Sequence, residues 1–193
     1  MNIAIVGATG NVGRKTLEVL EKKGLTLGNL YLVASSKSAG KKIHFQGKDI
    51  VVSELENFDF SKVKIAFFAA GGKISEKFAE KAAKHCLVID NSSFFRMDPD
   101  VPLIVPQVNS DALNNVKKNI IANPNCSTAQ LVIALKPLHD LFVIKRIVVS
   151  TYQSVSGAGK ASMDELIKQT KLALDGKDIK SENFTKPIAF NAI

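Results

Sequence analysis

The sequence predicts an α/β protein: a parallel sheet with right-handed crossovers, followed by the first part of a second, α+β domain. Three observations carry this. Short apolar runs recur along the chain: Ile3-Ala4-Ile5-Val6, Leu30-Tyr31-Leu32-Val33-Ala34, Val63 to Ala69, Cys86-Leu87-Val88-Ile89-Asp90 and Asn119-Ile120-Ile121-Ala122. They alternate little, as strands buried on both faces do. Amphipathic helical stretches separate several of them at the spacing a parallel crossover needs. After the last run the pattern changes, so we expect a first unit over 1–125 and a second over 126–193.

Taken in order, residues 2–6 form the first strand. Gly7-Ala8-Thr9-Gly10-Asn11-Val12-Gly13 follows, then a helix with Val12, Thr16, Leu17 and Leu20 on one side and Gly24 closing it. The second strand ends in a polar loop, Ser35-Ser36-Lys37-Ser38-Ala39-Gly40. Residues 43–53 read as a hairpin about a turn containing Gly47. The strand over 63–69 runs into Gly71-Gly72, and the next helix sets Ile74, Phe78 and Ala82 four apart against the sheet. Pro124 ends the strand at 119–122, because its ring locks φ and it has no N–H for a ladder. A helix with Leu131, Ala134, Leu135 and Leu138 on one stripe comes next. The β-branched run from Phe142 to Val149, continuing through Thr151-Tyr152-Gln153, is expected to be extended. Gly157-Ala158-Gly159 precedes a helix with Met163, Leu166, Ile167, Thr170 and Leu174 on one face. Pro187 to Ile193 reads as the start of a strand.

The composition, 46% hydrophobic and 23% charged in 193 residues, is that of an ordinary globular protein. Two cysteines make no disulfide framework, and the N-terminus has no basic region ahead of a long apolar core. No apolar run reaches the roughly 18 residues of a membrane span. A cytoplasmic protein without membrane partners is expected. The net charge of +8 comes from lysines scattered in ones and twos, beside only Arg14, Arg96 and Arg146. Nucleic-acid binders cluster their basic residues and interleave stacking aromatics, which is not the pattern here. The positive field suits anionic small molecules instead.

Gly7-x-x-Gly10-x-x-Gly13 after a strand and opening a helix is the context of a dinucleotide-binding fingerprint, in which the pyrophosphate rests on the helix N-terminus. The loop after the second strand carries hydroxyls and Lys37 where an NAD enzyme would carry an acid, which favours NADP; a solvated loop is the plain alternative. Cys126, in Asn123-Pro124-Asn125-Cys126-Ser127-Thr128, would lie at the mouth of a helix, where the field favours an anion and hence the nucleophilic thiolate. The bland alternative is a buried cysteine with Asn125 or Ser127 as an ordinary N-cap. Asp90-Asn91-Ser92-Ser93-Phe94-Phe95-Arg96 lies at a strand's carboxyl end, where Arg96 could clamp a phosphate or carboxylate or sit in a surface ion pair. His44, His85 and His139 have no metal-ligand spacing and are read as structural.

These motifs, with Val105-Pro106-Gln107-Val108-Asn109 and Thr151-Tyr152-Gln153-Ser154-Val155-Ser156-Gly157-Ala158-Gly159, occur in an order that closely resembles aspartate-β-semialdehyde dehydrogenases of the bacterial type. N-acetyl-γ-glutamyl-phosphate reductases are related but typically have glycine where this chain has Asn125. Glyceraldehyde-3-phosphate dehydrogenases share only the thioester logic. The resemblance implies a Rossmann-like NADP-binding domain over 1–125, an incomplete catalytic and dimerisation domain over 126–193, and the phosphate-dependent interconversion of aspartate semialdehyde and aspartyl phosphate with NADP(H). That step lies on the route to lysine, threonine and methionine. It assigns Cys126 as nucleophile, Gln153 as the residue positioning the substrate, and Arg96 and Asn125 to substrate and phosphate. Cofactor contacts fall on Gly7, Thr9, Gly10, Asn11, Val12, Ser35, Ser38, Gly72, Asn91, Gly157 and Gly159. A homodimer is implied.

The chain departs from the family in two respects. Lys37 stands where arginine is common. Full-length relatives also continue well past Asn191, and that part carries the general-base histidine and the arginine that grips the amino-acid carboxylate. The expectation is therefore a truncated form that binds NADP but turns over little. The competing expectation, from another class, is a non-catalytic NADP-binding or interaction module.

Overall fold

Strands β1 (Ile3–Val6), β2 (Leu30–Ala34), β3 (Lys42–Phe45), β4 (Lys48–Glu54), β5 (Ile65–Phe68), β6 (Leu87–Asp90) and β7 (Ile120–Ala122) join in one sheet of order β3-β4-β2-β1-β5-β6-β7. The helices are α1 (Asn11–Lys22), α2 (Gly72–Ala83), the single turn α3 (Pro106–Asn109), α4 (Cys126–Phe142) and α5 (Lys160–Leu174). This computed structural model describes all of Met1–Ile193, in two compact units, Met1–Lys145 and Arg146–Ile193.

In the first unit every strand pairing is parallel except the β3–β4 hairpin. Apart from β3, the order is that of a Rossmann-like, doubly wound sheet. Its switch point lies between β1 and β5, since the chain adds β2 and β4 on one side of β1 and then β5, β6 and β7 on the other. The pleat explains why β1 is apolar throughout. Ala4 and Val6 face one cluster, with Val33, Phe68, Phe78, Val88 and Ile120. Ile5 faces the other, with Leu17, Leu20, Leu32 and Val52. Phe78 and Ala82 of α2 are buried as their spacing required. Ile104 and Pro102 bond to Ala122, which covers the free edge of β7.

Five expectations are corrected. The buried face of α1 is Gly13, Leu17 and Leu20, an i, i+4, i+7 set; Val12 is rotated off it by roughly 100° and is 51% exposed. In α4 no residue is buried, and Ala134 and Leu138 are exposed. Residues 143–153 form no strand, because a β-branched run becomes one only where a neighbour completes its ladder; Val148 is 80% and Tyr152 93% exposed.

The other two corrections lie in the second unit and share a cause. The face of α5 that is buried is polar, Ser162, Glu165 and Gln169, while Ile167 and Leu174 are exposed. Glu165 accepts hydrogen bonds from the backbone N–H groups of Glu182 (2.8 Å) and Asn183 (2.7 Å). Gln169 Oε1 accepts from those of Ile188 (2.8 Å) and Ala189 (3.1 Å). Glu165 and Gln169 thus turn inward to meet backbone amides, Gln169 takes two that a strand over 187–193 would have needed, and that segment turns at 189–190 instead.

Candidate active site

Two loop clusters stand at the carboxyl ends of the first unit's strands. The first is the glycine loop. Gly7 has φ +86°, and a Cβ there would sit 2.7 Å from the Ala69 carbonyl oxygen, so the loops after β1 and β5 meet backbone to backbone at the switch point. A Cβ on Gly13 would collide with the Gly7 carbonyl and lie 2.8 Å from Ala8 Cα, which is how closely α1 approaches β1. Gly10 is the N-cap of α1 and supplies no side-chain acceptor to its first turn, where Asn11 and Val12 are exposed.

Across from this loop, Ser36–Ser38 forms one 3₁₀ turn capped by Ser35. Thr9 Oγ1 donates to Ser38 Oγ at 3.3 Å, and Arg14 Nε donates to the Thr9 carbonyl at 3.2 Å. Gly7, Thr9, Gly10, Ser35 and Ser38 are thus brought together. Gly72 opens α2, and a Cβ on it would touch Phe94 Cβ at 3.9 Å. A cradle floored by glycine, an N-terminal turn without a side-chain cap and a hydroxyl-lined second loop free of carboxylates together fit a nicotinamide dinucleotide.

The second cluster holds the thiol. Cys126 is the first residue of the 17-residue α4 and is exposed. Asn125 is the N-cap: its Oδ1 accepts from Ser127 N–H (2.9 Å) and Ser127 Oγ (2.6 Å) and lies 3.9 Å from Cys126 Sγ. The cap therefore exists, but the cysteine beside it is not a core residue. Cys86 is. It is buried, its thiol donates to the Ala82 carbonyl, and burial pushes it up to about 11.

The loop after β6 is tied to the cysteine turn. Arg96 Nε donates to the Asn123 carbonyl at 3.0 Å and Nη2 to the Asn91 carbonyl at 3.2 Å. Asn123 Nδ2 donates to Asn91 Oδ1 at 2.9 Å, and Asn123 N–H to the Asp90 carbonyl at 2.8 Å. Beneath them the fully buried Asp90 carboxylate accepts from Ser75 Oγ (2.6 Å), Ser92 Oγ (2.6 Å) and Ser92 N–H (3.1 Å). Arg96 is thus held by two backbone carbonyls rather than by a surface ion pair. Sequence alone gives Asn123, Ser75 and Arg14 no role. The cue for Asn123 was its place directly before Pro124; Ser75 and Arg14 offered none.

In the second unit Gln153 is exposed and its side chain lies against Gly157, where a Cβ would collide with Gln153 Nε2. Gly157 sits in the 3₁₀ turn Val155–Ala158, and Gly159 is the N-cap of α5. His44 pairs with Asp49 across the hairpin at 3.0 Å.

Residues 2–116 match the family described as semialdehyde dehydrogenase, NAD binding domain, and residues 135–193 its dimerisation domain. Aspartate-semialdehyde dehydrogenase 2 of Vibrio cholerae is 52% identical over 194 residues, taking in 100% of this chain and 58% of the relative. The crystal structure of aspartate semialdehyde dehydrogenase II complexed with ASA from Vibrio cholerae is similar with a TM-score of 0.93 and 51% identity. It covers 98% of this chain and 57% of the other. The aspartate semialdehyde dehydrogenase with NADP from Candida albicans is 30% identical with a TM-score of 0.60, over 74% of this chain and 48% of that one. The chain therefore spans about 58% of the length of the Vibrio relative.

Proposed function

We propose that this chain, which belongs to the semialdehyde dehydrogenase family, serves the NADP- and phosphate-dependent interconversion of L-aspartate 4-semialdehyde and L-4-aspartyl phosphate through a thioester on Cys126. The observation that carries the reading is Cys126 itself, an exposed thiol opening a long helix, its turn bonded to the loop that follows β6.

In the oxidative direction Cys126 Sγ adds to the aldehyde carbon. The first-turn N–H groups of α4 other than that of Ser127, which the Asn125 cap takes, would hold the developing alkoxide. NADP, when bound, supplies the hydride acceptor. Collapse of the adduct leaves the acyl group on sulfur, and a phosphate oxygen then displaces the Cys126 thiolate to give the acyl phosphate. Family likeness assigns Arg96 and Asn125 to phosphate and substrate, and Gln153 to substrate positioning. Gly7, Thr9, Gly10, Asn11, Val12, Ser35, Ser38, Gly72, Asn91, Gly157 and Gly159 would hold NADP. Lys37, exposed and outside every ion pair, supports a 2′-phosphate over a bare ribose.

On the same likeness, the general-base histidine and the carboxylate-gripping arginine are not among these 193 residues. The groups that the likeness does assign here are those of the cofactor cradle and the thiol, so we expect NADP binding and a reactive Cys126. The dimerisation-domain match supports a homodimer, and the biosynthetic route to lysine, threonine and methionine in the cytoplasm is the setting we propose.

The test is phosphate-dependent NADP⁺ reduction with aspartate semialdehyde, beside NADP titration and Cys126→Ala. NADP binding, with any turnover lost in Cys126→Ala, is the expected result. Turnover that survives in Cys126→Ala would sink the thioester, and absence of NADP binding would sink the cofactor assignment. Binding with no thiol-dependent chemistry at all would leave a binding module.

A further inference from the structure

We propose that Asn123 is a positioning residue for Cys126: its side-chain amide and its carbonyl clasp the cysteine turn to the loop after β6, and this clasp fixes where the sulfur stands. The inference rests on reading Cys126 as the nucleophile. Asn123 lies three residues before Cys126, and both of its backbone groups and its side-chain Nδ2 are engaged. Its N–H goes to Asp90, its carbonyl takes Arg96 Nε, and its Nδ2 goes to Asn91 Oδ1. The partners are themselves held. Asn91 N–H is bonded to the Phe68 carbonyl at the end of β5, and the Asp90 carboxylate is fixed by Ser75 of α2 and Ser92.

Only Pro124 and Asn125 separate this anchored residue from the cysteine. Pro124 is buried with its φ locked by the ring, and Asn125 is engaged in capping α4. A chain fixed at Asn123, stiff at Pro124 and capped at Asn125 leaves Cys126 little freedom to leave the first position of α4. The exposed thiol's hydrogen bond, to Asn125 Oδ1, is long at 3.9 Å. Its placement must therefore come from the backbone behind it, and the Asn123–Asn91 bond is the side-chain link that can be removed without touching that backbone.

The experiment is the iodoacetamide labelling rate of Cys126 in phosphate-free buffer without cofactor, read by peptide mass spectrometry, with the urea midpoint measured on the same samples. Asn123→Ala should slow labelling roughly tenfold, since displacement of a positioned group by about an ångström is felt strongly in rate. Asn91→Ala should reproduce the loss, and the double variant should be no slower than either single, because both remove one shared bond. A lower midpoint with an unchanged or faster labelling rate would make Asn123 merely structural and overturn the proposal. So would losses that add in the double variant. Should Asn123→Ala fail to fold, Asn91→Ala reads the same bond while Asn123 keeps its backbone partners. Labelling needs neither aldehyde nor turnover. Failure here is thus distinct from failure of the thioester reading, which Cys126→Ala decides.

Discussion

Replacing Gly13 with alanine tests the packing on which the proposed cofactor cradle stands. The new Cβ would overlap the Gly7 carbonyl and lie 2.8 Å from Ala8 Cα, whereas carbon atoms rest at about 3.5–4.0 Å. Both obstacles are backbone, so no rotamer change relieves them, and α1 must retreat by about 1 Å. That shift opens a gap under Leu17 and Leu20, which are 5% and 9% exposed. A gap of about 0.5–1 Å forfeits roughly a quarter to a half of the dispersion well. Losing a buried leucine outright costs about 2–5 kcal/mol. Two leucines each losing that fraction come to about 1–5 kcal/mol, offset by up to about 1 kcal/mol of better helix propensity. We expect a net loss of about 2 kcal/mol, seen as a fall of about 1 M in the urea midpoint by far-UV circular dichroism. Gly24→Ala is the control, since Gly24 has φ +61° with no neighbour within 4 Å and so reports backbone strain alone. A Gly13→Ala protein as stable as the parent, or less affected than Gly24→Ala, would refute the close approach of α1 to β1.

Four further outcomes are expected. Asn125→Ala removes the cap of α4 and should cost about 1 kcal/mol in the same urea assay. Iodoacetamide should label Cys126 in the native chain and leave Cys86 untouched until urea exposes it, because Cys86 is buried and its thiol is pushed up to about 11. For the same reason the Cys86 contribution to stability should be constant below pH 9.0, the ordinary thiol value, and fall as pH rises towards about 11, where the unfolded chain ionises and the folded one does not; Cys86→Ala should abolish this step. Bonds from Glu182 N–H and then Asn183 hold Glu165 below its ordinary 4.5 despite its burial. Its contribution is therefore complete above pH 4.5 and lost as pH falls through the lower folded value, so acid titration of the urea midpoint should be shallower in Glu165→Gln.

What could be read from the residues was whatever a local signal forces. Ile3–Val6 is apolar on both faces because both are covered, Gly7 and Gly13 are glycine because backbone stands where a Cβ would go, and Pro124 stops β7 by its own chemistry. The α1 face was misjudged by one residue, since Val12 shares the stretch but not the angle. The larger misses have another origin. Periodicity tells where apolar side chains lie on a helix, not whether apolar surface exists to receive them. On α5 the neighbour is the 180–189 backbone, whose amides need acceptors, so Glu165 and Gln169 turn inward and Ile167 and Leu174 turn out.

The Asn123 clasp was invisible for the same reason. Bonds from an amide to a carbonyl thirty residues away have no period, and Asn91, Asp90 and Asn123 read singly as ordinary turn residues. A buried carboxylate such as Asp90, satisfied by two hydroxyls and an N–H, would cost dearly if any of these partners were absent. Its carboxylate ties α2 to the loop after β6 while its carbonyl takes the Asn123 N–H, so one residue braces both that loop and the turn leading to the thiol. Polar groups committed to holding backbone, rather than to solvent, are therefore the side chains through which this fold sets its chemistry in place.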